Sequence, residues 1–93
     1  MTKKKRLMSY AAIVEAIIFA SNKPVRERDL RHYVPDEQDI IQVIEVIRQR
    51  FDHTSGIELR QVDDGWAFRT RAEIAELLSQ HKQIERPLSR AAL

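Results

Sequence analysis

The sequence contains no cysteine. That excludes a disulfide scaffold and a thiol-based metal site, and it fits a cytoplasmic protein. Glycine occurs only twice, as Gly56 and Gly65. No glycine-rich loop can therefore cradle a phosphate, and each glycine is expected to serve a turn or a loop. The three histidines, His32, His53 and His81, lie in separate segments, without i, i+4 spacing or an HExxH pattern. Metal binding is not expected of them. There is no GxSxG and no cysteine nucleophile, and Asp63 and Asp64 before a glycine read as turn chemistry rather than as a metal site. The sequence thus suggests no enzyme, cofactor or small-molecule substrate.

Long apolar runs are also missing. The stretch from Leu7 to Ala20 is broken by Ser9 and Glu15. It is shorter than the ~20 residues that a membrane-spanning helix needs. It lacks the small-residue cleavage site of a signal peptide. A soluble protein is expected. Charge of either sign is nearly balanced, with a net charge of only +2. The excess is local, because Lys3, Lys4, Lys5 and Arg6 stand together at the start and the remainder carries a small net negative charge. Residues 1–8 are expected to form a basic flexible tail, with an anionic-surface or weak DNA contact as the alternative.

What is present is one small domain of 93 residues, with 43% hydrophobic and 32% charged residues and neither repeats nor low-complexity segments. Residues 9–21 read as a helix capped by Ser9, with Tyr10, Ile13, Val14 and Ile17 on its core face. The opposite face carries Met8, Ala12, Ala16 and Phe19, with Glu15 as its only charge. A helix apolar on every side wants burial on every side. Either the helix is central, with Phe19 folded into the domain's own core against the hairpin, or these four residues meet another chain.

Pro24 stops this helix, residues 26–34 form a short second one bearing Leu30, Tyr33 and Val34, and Pro35 ends it. Asp36 is expected to cap a third helix, with Ile40, Ile44, Ile47 and Phe51 facing the core and Ile41, Val43 and Val46 widening the stripe. The stretch GIELRQVDDGWAFRT then reads as a β-hairpin around an Asp64–Gly65 turn. That register puts Ile57, Leu59, Trp66 and Phe68 on one face, Arg60 opposite Arg69, and Glu58 opposite Arg71. Thr70 and Glu73 form a capping box for a fourth helix with core residues Ile74, Leu77 and Leu78. The expected fold is mainly α with a small β-hairpin, a winged helix-turn-helix spanning residues 9–81. Residues 82–93 read as a linker and the start of a further, truncated domain whose natural sequence continues.

Winged helices often bind DNA by placing the start of the third helix in the major groove. Here that region holds Asp36, Glu37 and Asp39, which would oppose a polyanion. A transcriptional regulator is the alternative function. Lys3, Lys4, Lys5, Arg6, Arg60 and Arg69 are the residues able to make a weak non-specific DNA or anion contact.

Three stretches resemble a known family. IVEAIIFASNKPV at 13–25, GIELRQVDDGWAFRTRAEIAELL at 56–78 and RPLSRAAL at 86–93 are similar to the amino-terminal half of ScpB, the bacterial segregation and condensation protein B. Residues 26–55 match only as a pattern. The resemblance implies a non-catalytic scaffold built from tandem winged helices. Such proteins form homodimers and bind the kleisin ScpA, which bridges the SMC ATPase, in chromosome condensation, segregation and partition. It implies a cytoplasmic, nucleoid-associated location, with self-association assigned to the amino-terminal domain. Met8, Ala12, Ala16 and Phe19 are then the candidate protein interface.

Overall fold

The structure, a computed structural model, describes the backbone of residues 3–80 and side chains from Arg6 onward. The expected linker and further domain at 82–93, and His81, lie outside the described residues. Helix α1 runs Lys3–Ala20, β1 is Val25–Arg26, α2 is Glu27–Leu30 followed by a 3-10 turn Arg31–Tyr33, and α3 is Ile40–Arg50. Strands β2 (Ile57–Val62) and β3 (Gly65–Thr70) follow, and α4 covers 72–80.

Helix α1 begins six residues before Ser9, so Ser9 is an interior position and not a cap. The backbone of Lys3–Met8 is helical, with three lysines in the first turn where the helix dipole favours acids. The core face of α1 is Ala11, Val14 and Ile18, flanked by Leu7, Tyr10 and Ile17. Ile13, placed on that face by the sequence, is exposed. The helix packs chiefly on α3, which contributes Ile40, Val43, Ile44 and Ile47 at i, i+3, i+4 and i+7. Leu30, Val34, Leu59 and Trp66 complete the core. Each fully buried aliphatic here is worth about 1.5–3 kcal/mol.

The cap of α3 is Asp39 rather than Asp36, its carboxylate accepting from the Ile41 N–H at 2.9 Å. Pro35 explains the shift. Its carbonyl accepts from Gln38 N–H at 2.9 Å, which closes a turn over Asp36 and Glu37 and delays the helix. Tyr33 and Ile41 are exposed, and Val46 and Phe51 are partly buried.

The expected two-stranded hairpin is a three-stranded antiparallel sheet of order β1-β3-β2. The third strand moves the turn. Arg26 pairs with Gly65, and a Cβ on Gly65 would lie 2.8 Å from the Pro24 carbonyl carbon. Gly65 is thus held in β3 for close approach, not in the turn. The two turn residues are Asp63 and Asp64, with Asp63 at φ 54°, a conformation that aspartate tolerates better than most residues. Every cross-strand partner slides by two positions, so side-chain alternation survives and Ile57, Leu59, Trp66 and Phe68 do share a face. The Arg60–Arg69 juxtaposition does not: Arg60 faces Ala67 and Glu58 faces Arg69. Gly65→Ala is expected to cost ~1–3 kcal/mol by pushing β1 off β3. Urea unfolding followed by circular dichroism measures it, and an unchanged midpoint would refute the close-approach role.

Thr70 ends β3 and does not cap α4. Arg71 holds the cap position, its carbonyl accepting from Ala75 N–H at 2.7 Å. Leu77 and Leu78, expected in the core, are exposed and Ile74 is partly buried. The sequence pattern gave α4 an apolar stripe, but among residues 72–80 only Ile74 is even partly buried, so α4 adds little to the core that α1, α3 and the sheet close among themselves. Among the described residues no helix is long and apolar enough to cross a membrane.

Candidate protein-interaction surface

On the outer side of α1, Ala12, Ala16 and Phe19 recur at helical spacing and all are exposed. Phe19 is 79% exposed, so it is not folded into the core against the wing. Met8, 43% exposed, lies one turn before Ala12 on the same face. So exposed a phenylalanine is unusual for a side chain that gains so much from burial.

Phe19 does not stand on a flat surface. A groove of about 430 Å³ runs between α1 and the wing, bounded by Ala12, Glu15, Ala16 and Phe19 on the helix and by Phe51, Ile57 and Phe68 opposite. Phe51 and Phe68 meet edge to face with ring centres 5.0 Å apart, which fixes the far wall. A second depression of about 320 Å³, reached by Ile18, Asn22, Ala67 and Arg69, also has Phe19, Ile57 and Phe68 in its lining. Phe19 is therefore a ridge between two hollows. The only charge in the larger groove, Glu15, is held by Arg50 at 2.7 Å, a contact that also ties α1 to the end of α3. The walls offer apolar surface and no free charge, and such a surface suits an apolar side chain from a partner.

The sequence placed Ile57 and Phe68 on the buried face of the hairpin and Phe51 in the core stripe of α3, and so missed the groove they form. The available signal was a surplus: the hairpin face and both faces of α1 offered more apolar surface than one small core can absorb.

The basic candidates are dispersed. Arg6 lies near Tyr10, Pro35, Glu37 and Gln38, far along α1 from the wing. Lys3, Lys4 and Lys5 belong to the first turn of α1, and their side chains are not among those described. Arg60 is engaged by Glu58 at 2.6 Å and donates to the Thr70 carbonyl at 3.3 Å, while Arg69 donates to the Phe68 carbonyl at 3.1 Å. The hydrogen bond from Arg60 holds the Glu58 carboxyl below its ordinary pKa of 4.5, against a smaller desolvation effect and with further help from the Arg60, Arg71 and Arg48 charges. Hydrogen bonds from Thr54 likewise lower Asp52.

Arg71, which the sequence set only opposite Glu58, is a structural residue with a wider role. Its Nε donates to the Ser55 carbonyl at 2.8 Å, one terminal nitrogen reaches Glu58 Oε1 at 3.3 Å and the other donates to the Phe51 carbonyl. Its own N–H donates to the Gly56 carbonyl at 2.9 Å. One side chain thus fastens the α3–β2 loop, the wing and the start of α4 to one another, and through Phe51 it supports the groove wall. Among the described residues no cluster of three His, Asp or Glu side chains is placed to hold a metal ion.

The family model for segregation and condensation complex subunit ScpB matches residues 12–93. No curated protein matches the chain. Two solved structures share the fold. A crystal structure of a conserved hypothetical protein from Chlorobium tepidum has a TM-score of 0.68 at 21% identity, over 95% of this chain and 58% of that one. ScpB from Mycobacterium tuberculosis has a TM-score of 0.64 at 24% identity, over 94% of this chain and 52% of that one. This chain therefore spans little more than half the length of either structure. Both likenesses cover nearly all of this chain and support a winged-helix fold. With the family model matching all but the first eleven residues, the chain belongs to the ScpB family of segregation and condensation complex subunits.

Proposed function

We propose that this chain is a non-catalytic scaffold subunit of a segregation and condensation complex. It works by self-association and by binding the kleisin ScpA, and through ScpA it joins the SMC ATPase in the cytoplasm at the nucleoid. Family membership supports the complex. The observation that carries the mode of action is the exposed Phe19 on the Met8–Ala12–Ala16 face of α1, beside a groove without free charge. A hot-spot aromatic in this setting supplies much of an interface's energy.

DNA readout has weaker support. Asp36, Glu37 and Asp39 stand directly before α3, and each wing arginine on the candidate surface is already engaged within the domain. The three acids oppose phosphate and Arg60 is already paired with Glu58, which lowers the gain from counterion release.

The direct test is the mass of the chain by light scattering across a dilution series at moderate salt. A dimer is expected for the wild type and a folded monomer for Phe19→Asp, with the circular dichroism spectrum unchanged. A strict wild-type monomer at all concentrations would remove self-association from the proposal. Unfolding of Phe19→Asp would return Phe19 to the core.

A further inference from the structure

We infer that the dimer closes by reciprocal exchange of Phe19: the ring of each copy enters the groove between α1 and the wing of the other. This rests on the self-association proposed above and adds the contact that makes it. Three observations carry it.

First, knob and hole occur on the same surface of one chain. Phe19 projects at 79% exposure, and the groove of about 430 Å³ begins at its base. A closed twofold dimer requires a self-complementary surface, in which residue i meets j and j meets i. A knob beside its own hole meets that requirement without any second feature.

Second, the spacing along α1 suits the exchange. Ala16 lies three residues before Phe19 and four after Ala12. At 1.5 Å per residue these steps are ~4.5 and ~6 Å. A twofold axis crossing near Ala16 therefore sets Phe19 of one copy opposite Ala12 of its partner, at the helix wall of the groove. Small side chains at Ala12 and Ala16 let two antiparallel helices approach closely there, and Met8 falls at the periphery.

Third, the chemistry of the hole selects an uncharged ring. Its far wall is Phe51, Ile57 and Phe68, and its single acid is satisfied by Arg50 at 2.7 Å. A charged occupant would lose hydration with no partner in return. A phenyl ring gains aromatic edge contacts with the Phe51–Phe68 pair.

The test uses the whole 93-residue chain. Phe19→Ala removes the knob and leaves the far wall of the hole, Phe51, Ile57 and Phe68; Ile57→Glu spoils that wall and leaves the knob. Sedimentation velocity should show each variant alone weakened more than ~100-fold, because a hot-spot loss of ~2 kcal/mol counts twice in a twofold interface. An equimolar mixture contains one intact knob-and-hole pair per heterodimer. It should therefore associate at least ~10-fold more tightly than either variant alone. Should Ile57→Glu fail to fold by circular dichroism, Ile57→Gln sets a neutral polar group in the same half-exposed wall and replaces it. A wild-type dimer that the hole variant leaves intact, or a mixture no tighter than its components, overturns the exchange while self-association stands. A wild-type chain that stays monomeric overturns both.

Discussion

Trp66→Ala is expected to remove ~3–5 kcal/mol, the largest effect of any single substitution in this chain. Trp66 is the sole tryptophan and is buried near the start of β3. It pairs with Gln61 on β2 and with Val25 on β1, so it stands where all three strands meet. Its ring completes the core built by α1 and α3, and the Arg48 guanidinium lies over it at 5.9 Å from the ring centre. Truncation leaves a cavity that neither neighbouring strand can collapse into, because β1 is fixed by its close contact with Gly65. A single small domain has ~5–15 kcal/mol in total, so a large share of the fold's margin goes with this ring. Urea unfolding monitored by circular dichroism is the measurement, since the substitution removes the fluorophore. Trp66→Phe should retain more than half the loss. A midpoint shift under ~1 kcal/mol for Trp66→Ala would mean that the wing is not part of the cooperative core.

Arg71→Ala should cost ~2–4 kcal/mol, and for a reason unrelated to apolar area. The side chain is only 16% exposed, and its guanidinium is shared between the carbonyls of Phe51 and Ser55 and the carboxylate of Glu58. Hydrogen bonds to a charged group contribute ~1.5–3 kcal/mol each when shielded, less where one acceptor, as here, is partly open to water. Alanine strands two carbonyls and frees the loop 51–56 from the wing. Arg71→Lys keeps the charge but not the fork, and should recover less than half of the loss. Thermal unfolding reads both variants; at ~4–8 °C per kcal/mol the alanine variant should melt at least ~8 °C lower. Equal melting of the lysine variant and the wild type would reduce Arg71 to a point charge. Because the same side chain holds Phe51, the groove wall should loosen with it.

Arg71 also shows why part of this site was hidden in the sequence. Its four partners come from 51–58, contiguous in the chain but joined to it only after β2 and β3 pair. Nothing in GWAFRTR distinguishes Arg71 from Arg69. Strand register does: Arg69 faces Glu58 across the ladder, while Arg71 lies past the end of β3, where its side chain can turn back over the loop. The missed strand β1 has the same origin. Two residues, Val25 and Arg26, carry no periodicity that could announce a strand, and they form one only because Gly65 lets their backbone approach. Once β1 is present it takes Gly65 from the turn, and the Arg60–Arg69 pairing read from the hairpin is lost with it.

The sequence by itself determined the elements whose signal is local and repeated. The 3.6-residue spacing of Ile40, Ile44 and Ile47 gave α3, and strict alternation gave the buried face of the wing even with the turn displaced by one residue. It also determined a surplus of apolar surface on α1, because every side of that helix is legible at once. Tertiary structure decided where the surplus went. Ala11, Val14 and Ile18 turned inward to meet α3, and that rotation carried Phe19 outward, to the lip of a groove whose other wall comes from Phe51, Ile57 and Phe68. A helix's rotation about its own axis is set by the partner it packs against, so no pattern within α1 alone could fix it.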